Sequence, residues 1–315
     1  MIHRTIYLTA IFAVYAFTVL SQATFQVIPL GVKGGSDESN LSSYLVGVKG
    51  TTDYVCLDAG TIHAGLQRVV DRGLVKGTPS EIQRSMIKGY LLSHPHLDHV
   101  AGLIINSPED SPKPIYGLPF CLDVIKEKYF SWKSWANFGN EGEKPTLNKY
   151  QYTALSTGNE IPLAQTSMSV KAFALSHAAP GQSTAFLIRQ NNNYILYLGD
   201  TGADTIEHSQ NLHLLWRQVG PLIKAKQLKA IFIEVSFPNE QPDKLLFGHL
   251  TPRLLMNELN ILNSYSNHSL KGFSIVITHI KPVADNETKI KKQLSELNAL
   301  QVKLVYPEQG IPLEF

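Results

Sequence analysis

The sequence predicts an α/β fold in which two β-sheets pack together with helices on the outside. Two observations carry this. Apolar, β-branched runs recur from end to end, separated by Gly, Pro and Asn punctuation. The early runs follow one another as hairpin-like neighbours, whereas helical patterns are interposed between later ones. Periodicity by itself leaves other α/β layouts open. A third observation concerns chemistry: several of the runs end on histidine or aspartate.

The first element is a leader. Met1–Arg4 carries one certain positive charge, Ile6–Leu20 is largely apolar and uncharged, and Ser21-Gln22-Ala23 ends in small residues. That layout is a secretory signal peptide over residues 1–23, cleaved near Ala23. It implies an exported protein, periplasmic or secreted, with no stable membrane anchor after cleavage. The mature part, residues 24–315, fits one catalytic domain, since layered α/β domains run well past the usual size.

Loss of Arg4 from 28 basic residues leaves 27 against 26 acidic ones, a net charge of +1. No basic stripe is present, which argues against a polymeric nucleic-acid partner. Two cysteines, Cys56 and Cys121, are too few for a disulfide framework. Cys56 lies in an apolar run and reads as a buried thiol, with a single Cys56–Cys121 bridge left open.

Strands are expected at Phe25–Leu30, Ser43–Val48, Tyr54–Asp58, Gly89–Ser93, Lys171–Leu175, Thr184–Arg189, Tyr194–Gly199, Ala230–Val235, Ser274–Thr278 and Val302–Tyr306. Apolar residues at three- and four-residue spacing predict helices over Ala64–Asp71, Val100–Ile105 and Arg253–Leu262. Thr251-Pro252 supplies an N-cap followed by proline at the first helical position. Residues 107–150 resist assignment. They are rich in Pro, Gly, Asn and Lys, carry Phe130, Trp132, Trp135 and Phe138, and suit an insertion that builds a substrate pocket.

Potential metal ligands sit where apolar runs end. "LLSHPHLDH" places His94, His96, Asp98 and His99 after one run, and His177, Asp200 and His279 each follow another. If those strands share an edge, seven ligands converge on one rim. Imidazole and carboxylate suit Zn²⁺ without any thiolate. Seven donors exceed one tetrahedral ion but serve two divalent ions. His94, His96 and His177 would hold one, Asp98, His99 and His279 the other, and Asp200 would bridge them. Such a pair lowers the pKa of a shared water towards neutrality. Without metal the same groups would be crowded together at a desolvation cost of roughly several kcal/mol.

With these residues assembled, the sequence resembles the metallo-β-lactamase superfamily, whose HxHxDH…H…D…H order it reproduces. That resemblance implies an αββα four-layer sandwich with a dinuclear site at one edge of the sheets. It is more closely similar to the class II cyclic-nucleotide phosphodiesterase family. "HPHLDHVAGLIINS" matches that family's signature, joined by "IYGL" at Ile115–Leu118, "LYLGDTG" at Leu196–Gly202, "IEVSFPN" at Ile233–Asn239, "GHLTP" at Gly248–Pro252 and "THIKP" at Thr278–Pro282.

The resemblance implies hydrolysis of 3′,5′-cyclic AMP, with cyclic GMP also open, to the 5′-monophosphate by in-line attack of a hydroxide shared by two cations. Asp98 and Asp200 would orient that nucleophile, and His249 would protonate the leaving 3′ oxygen or contact the phosphate. Trp132 and Trp135 are the first candidates to stack on the base. The same dinuclear site would also suit an exported β-lactamase or lactonase. The sequence leaves monomer and dimer both open.

Overall fold

Alternation in the first strands explains the layering. In β1 (Phe25–Gly31), β2 (Ser43–Val48) and β3 (Tyr54–Leu57), the side chains of Val27, Val46, Val55 and Leu57 face one way. Those of Ile28, Leu45 and Cys56 face the other, and both sets are buried. A sheet that is apolar on both faces must be covered twice. In the computed structural model, which describes residues 24–315, one cover is a second sheet and the other a layer of helices. The expected leader lies outside the described residues.

Both sheets follow one plan. In the first, antiparallel β1–β3 continue into parallel β4 (Ile87–Leu91), β5 (Lys113–Gly117) and β6 (Tyr150–Ala154). In the second, antiparallel β7 (Glu160–Pro162), β8 (Ser169–Ser176), β9 (Gln182–Gln190) and β10 (Asn193–Leu198) continue into parallel β11 (Leu228–Glu234), β12 (Ser274–Thr278) and β13 (Lys303–Val305). A last short strand, β14 (Leu313–Glu314), returns to pair with β1. Between the sheets, Tyr44 meets Tyr197 and Phe232 with ring centres 5.7 and 5.8 Å apart. Each large side chain fully buried there contributes about 1.5–3 kcal/mol.

Parallel neighbours need crossovers, and these supply the outer layers. Outside the first sheet lie α1 (His63–Asp71), α2 (Pro79–Met86), α3 (Leu97–Asn106) and α4 (Pro119–Val124), the last running into a π-helical turn at Ile125–Tyr129. Outside the second lie the short α5 (Asp204–Glu207), then α6 (Asn211–Lys224), α7 (Pro252–Tyr265) and α8 (Asn286–Leu297). The αββα sandwich is therefore the fold. Thr251 caps α7 as the sequence predicts, its hydroxyl accepting from the Leu254 N–H at 3.4 Å.

The unassigned stretch contains more regular structure than its composition suggests. Residues 113–117 form β5 inside the first sheet, and Tyr150 begins β6. Lys113 is tolerated there because its ammonium pairs with buried Asp110 at 2.7 Å and donates to Gln83 O at 2.9 Å. Cys56 and Cys121 are separate buried thiols, so the bridge left open does not form, and burial pushes the Cys56 thiol up to about 12.

Candidate metal centre

One rim of the sandwich collects the ends of β4, β8, β10, β11 and β12. After β4, His94 precedes Pro95, and His96 occupies the extended N-cap position of α3, so Asp98 and His99 fall in the first helical turn. His177 follows β8, Asp200 follows β10 and His279 follows β12. All seven candidates from the sequence are brought together, and His249 joins them from the loop before α7.

The seven divide into two groups. In each, one nitrogen or oxygen per residue lies within 4.8 Å of the others: His94, His96 and His177 in one, Asp98, His99, Asp200 and His279 in the second. Within the first, His96 Nδ1 is 3.1 Å from His94 Nε2 and 3.4 Å from His177 Nε2. Asp200 spans the two. Its Oδ2 is 3.8 Å from His94 Nε2, 3.9 Å from His177 Nε2 and 3.2 Å from His279 Nε2. Its Oδ1 lies 3.3 Å from His99 Nε2. Asp98 Oδ2 is 3.1 Å from His279 Nε2.

The outward ring nitrogens decide where the lone pairs point. His177 Nδ1–H donates to Gly248 O at 2.8 Å, and His99 Nδ1–H donates to Asp58 Oδ2 at 2.7 Å. In the neutral ring each Nε2 is then an acceptor aimed into the cluster. His94 Nδ1 and His279 Nδ1 meet the hydroxyls of Ser93 and Ser236 at 3.0 and 2.9 Å. Such partners fix ring orientation and raise ligand basicity.

The buried His99 Nε2 has no hydrogen-bond partner, yet it faces a carboxylate oxygen. A lone pair held against a carboxylate is unfavourable unless positive charge lies between them. Burial, the largest effect on His99, pushes its pKa down, but the Asp200, Asp58 and Asp98 carboxylates together raise it well above the usual imidazole value. The three carboxylates thus favour positive charge at this position. Burial pushes His94 and His177 down, leaving them neutral and able to ligate. Burial opposes ionisation of Asp200, but the His279, His99 and His249 imidazoles outweigh it and hold this carboxyl well below its usual range. The donor set and its lone pairs thus fit divalent cations.

His249 occupies a different position. Its Nδ1 donates to Glu234 Oε1 at 2.7 Å, and burial is outweighed by Glu234 and then Asp200, so its pKa is raised. Its Nδ1 is 3.8 Å from Asp200 Oδ2, and its ring stacks on His279 at 5.2 Å. Glu234 also accepts from Ser236 Oγ at 2.7 Å and from the Leu250 N–H at 3.3 Å, which fixes the carboxylate that holds the ring.

Trp132 and Trp135 make their hydrogen bonds to residues outside the ligand set. Trp135 Nε1–H donates to Ser107 Oγ at 3.1 Å, beyond the C-terminal end of α3. That is roughly 12 Å along the helix from His99. Trp132 Nε1–H donates to Pro145 O at 2.8 Å, and neither ring is bonded to the cluster. The aromatic residue that reaches the ligand loop is Tyr129, whose hydroxyl donates to Pro95 O at 2.9 Å.

Asp58 is a residue that sequence reasoning missed. Wholly buried, it accepts from Ser93 N–H at 2.7 Å, Ser93 Oγ at 2.8 Å, His99 Nδ1 at 2.7 Å and Tyr197 OH at 2.6 Å. Its only signal is an aspartate ending an apolar run, as Asp200 does. Two glycines also shape the site. A Cβ on Gly34 would overlap the His279 imidazole, and Gly248 combines φ of +77° with close contact to the His177–Ala178 backbone.

Comparison with known proteins adds independent findings. The family model described as cAMP phosphodiesterases class-II matches residues 78–306. A protein of Aliivibrio fischeri named 3′,5′-cyclic-nucleotide phosphodiesterase is 43% identical over 319 residues, covering 96% of each chain. Among solved structures, unliganded yeast PDE1 superimposes with a TM-score of 0.81 at 22% identity, over 93% of this chain and 100% of that one. The metallo-β-lactamase fold protein YhfI of Bacillus subtilis gives 0.61 at 16% identity, over 92% and 99%.

Proposed function

This chain belongs to the class-II cAMP phosphodiesterase family, and we propose that its rim of imidazoles and carboxylates is where water opens the 3′,5′-cyclic phosphate of a nucleotide. The enzyme is a 3′,5′-cyclic-nucleotide phosphodiesterase, cyclic AMP is the substrate of first choice, and the product is the nucleoside 5′-monophosphate. The observation that carries the site assignment is Asp200. Its two oxygens reach both histidine groups, a placement that suits a carboxylate shared by two cations.

His94, His96 and His177 would hold one divalent ion, and Asp98, His99 and His279 the other, with Asp200 between. Zn²⁺ is favoured because the donors are imidazoles and carboxylates. When bound, such a pair supplies a water acidified towards neutrality and positive charge beside the phosphate oxygens.

The chain's own residues do the rest. Asp58, Ser93, Ser236 and Gly248 O fix the imidazoles, so no ring must reorient as charge develops. His94, His99, His177, Asp200 and His279 are buried, which strengthens the electrostatic contacts among them, while exposed His96 and partly buried Asp98 leave the cluster open on one side. Glu234 favours the protonated form of His249, and with Nδ1 engaged by that carboxylate Nε2 is the nitrogen left to deliver a proton. Protonating the departing 3′ oxygen spares an alkoxide leaving group and is worth roughly 10²–10⁴ in rate. Residues 1–23 support export, and the mass of protein recovered outside the cytoplasm should begin at Thr24.

The test is incubation of metal-loaded protein with cyclic AMP and cyclic GMP, followed by chromatography of the products. Accumulation of 5′-AMP is expected. Intact cyclic AMP after prolonged incubation with loaded protein would refute the reading, and 3′-AMP as product would refute the leaving-group assignment.

A further inference from the structure

Lys281 stands two residues beyond His279, half-buried at the edge of the cluster. Its backbone N–H donates to Ser236 O at 3.3 Å, tying it to the segment that also carries Glu234. Its Nζ lies 5.0 Å from the centre of the Phe237 ring, and that ring is 5.7 Å from the His249 ring. On the other side its stem runs beside Gly35, whose N–H donates to Asp98 Oδ2 at 3.0 Å. The side chain thus runs between a residue bonded to Asp98 at its stem and a residue touching His249 at its ammonium end.

Nearby lysines are paired: Lys33 and Lys291 both meet Glu287, and Lys289 meets Asp285. Lys281 has no carboxylate partner among the described residues; an aromatic face is its neighbour instead. A partly desolvated cation beside a general acid and a cation-binding cluster is unfavourable unless an anion completes it. The phosphate of the nucleotide is an anion delivered to this rim.

We propose that Lys281 is a substrate-binding residue: its ammonium ion takes a non-bridging oxygen of the nucleotide phosphate, with Phe237 fixing the stem that presents it. This rests on the function proposed above. Lysine suits the task as a compact point charge with three donors.

The test compares wild-type protein, Lys281→Met and Lys281→Arg, each loaded with metal and assayed for metal content. In Lys281→Met, KM for cyclic AMP should rise about 10- to 100-fold, the loss expected for one charge-assisted hydrogen bond. Metal content should stay unchanged, and Lys281→Arg should recover part of the loss. Calorimetric binding of inorganic phosphate, which needs no turnover, should weaken in Lys281→Met by a similar factor. Unchanged KM and phosphate affinity would overturn the proposal, as would loss of metal, because the residue would then be supporting His279. A shift confined to the pH profile of kcat would overturn it too, reducing Lys281 to a modulator of His249. If wild-type protein binds phosphate through Lys281 yet leaves cyclic AMP intact, the functional reading falls and the anion subsite stands.

Discussion

Asp58 shows how one side chain can govern a whole centre. Four donors converge on it, and three of them, two from Ser93 and one from His99, belong to the ligand segment. Removing the carboxylate strands buried donors, each of which costs about 1–3 kcal/mol when left unpaired. Asp58→Ala should therefore lower unfolding stability by at least roughly that much, read from urea titration. Asp58→Asn keeps the volume but loses the charge that orients His99, and should weaken metal binding about 10- to 100-fold in chelator competition. Unaltered affinity in Asp58→Asn would remove Asp58 from the site. Position 249 gives the converse result. His249→Ala should slow turnover by roughly 10²–10⁴ with metal content intact; if metal is lost instead, His249 is a ligand. The ligand candidates were legible because each follows an apolar run and carries a metal-binding side chain. Asp58 satisfies the same condition, but its partner Tyr197 lies 139 positions away, and no local spacing announces that contact.

At the scale of elements, the centre depends on where strands stop. Gly248 ends the approach to α7 in a left-handed turn and lends its carbonyl to His177. Gly248→Ala combines backbone strain with overlap on the His177–Ala178 backbone, so it should depress activity far more than stability. Comparing kcat/KM with the melting temperature of the variant checks this. Thr251→Ala removes the cap of the same helix and should cost about 1 kcal/mol, with only a modest effect on rate.

Strands such as β2 and β12 were readable because alternating or continuous apolar residues span them. β5 was not, because its five residues contain Lys113, Pro114 and Gly117, and burial of Lys113 depends on Asp110 and Gln83 O. α6 was hidden by Gly220 and Pro221 near its end, and β14 is only two residues long. Tertiary pairing decides such elements, and a local pattern does not contain it.

Across the whole molecule, two sheets of one plan meet so that the first contributes His94 to His99 and the second His177, Asp200 and His279. Metal bound at that seam ties the layers together. Ligand present at 100 times its dissociation constant stabilises the fold by about 2.7 kcal/mol, so chelation should lower the melting temperature by several degrees. Binding should also weaken with acid, because the imidazoles must be deprotonated to ligate.

The central claim is that two cations, held by ligands from both sheets, are needed to cleave the cyclic phosphate. Its most direct measurement is metal content per chain, determined alongside cyclic AMP turnover, as chelated protein is titrated back with Zn²⁺. Activity should be absent without metal and should return in full only as content reaches about two ions per chain, the number the donor set serves. Full turnover by protein stripped of metal, or a plateau at one ion, would contradict it.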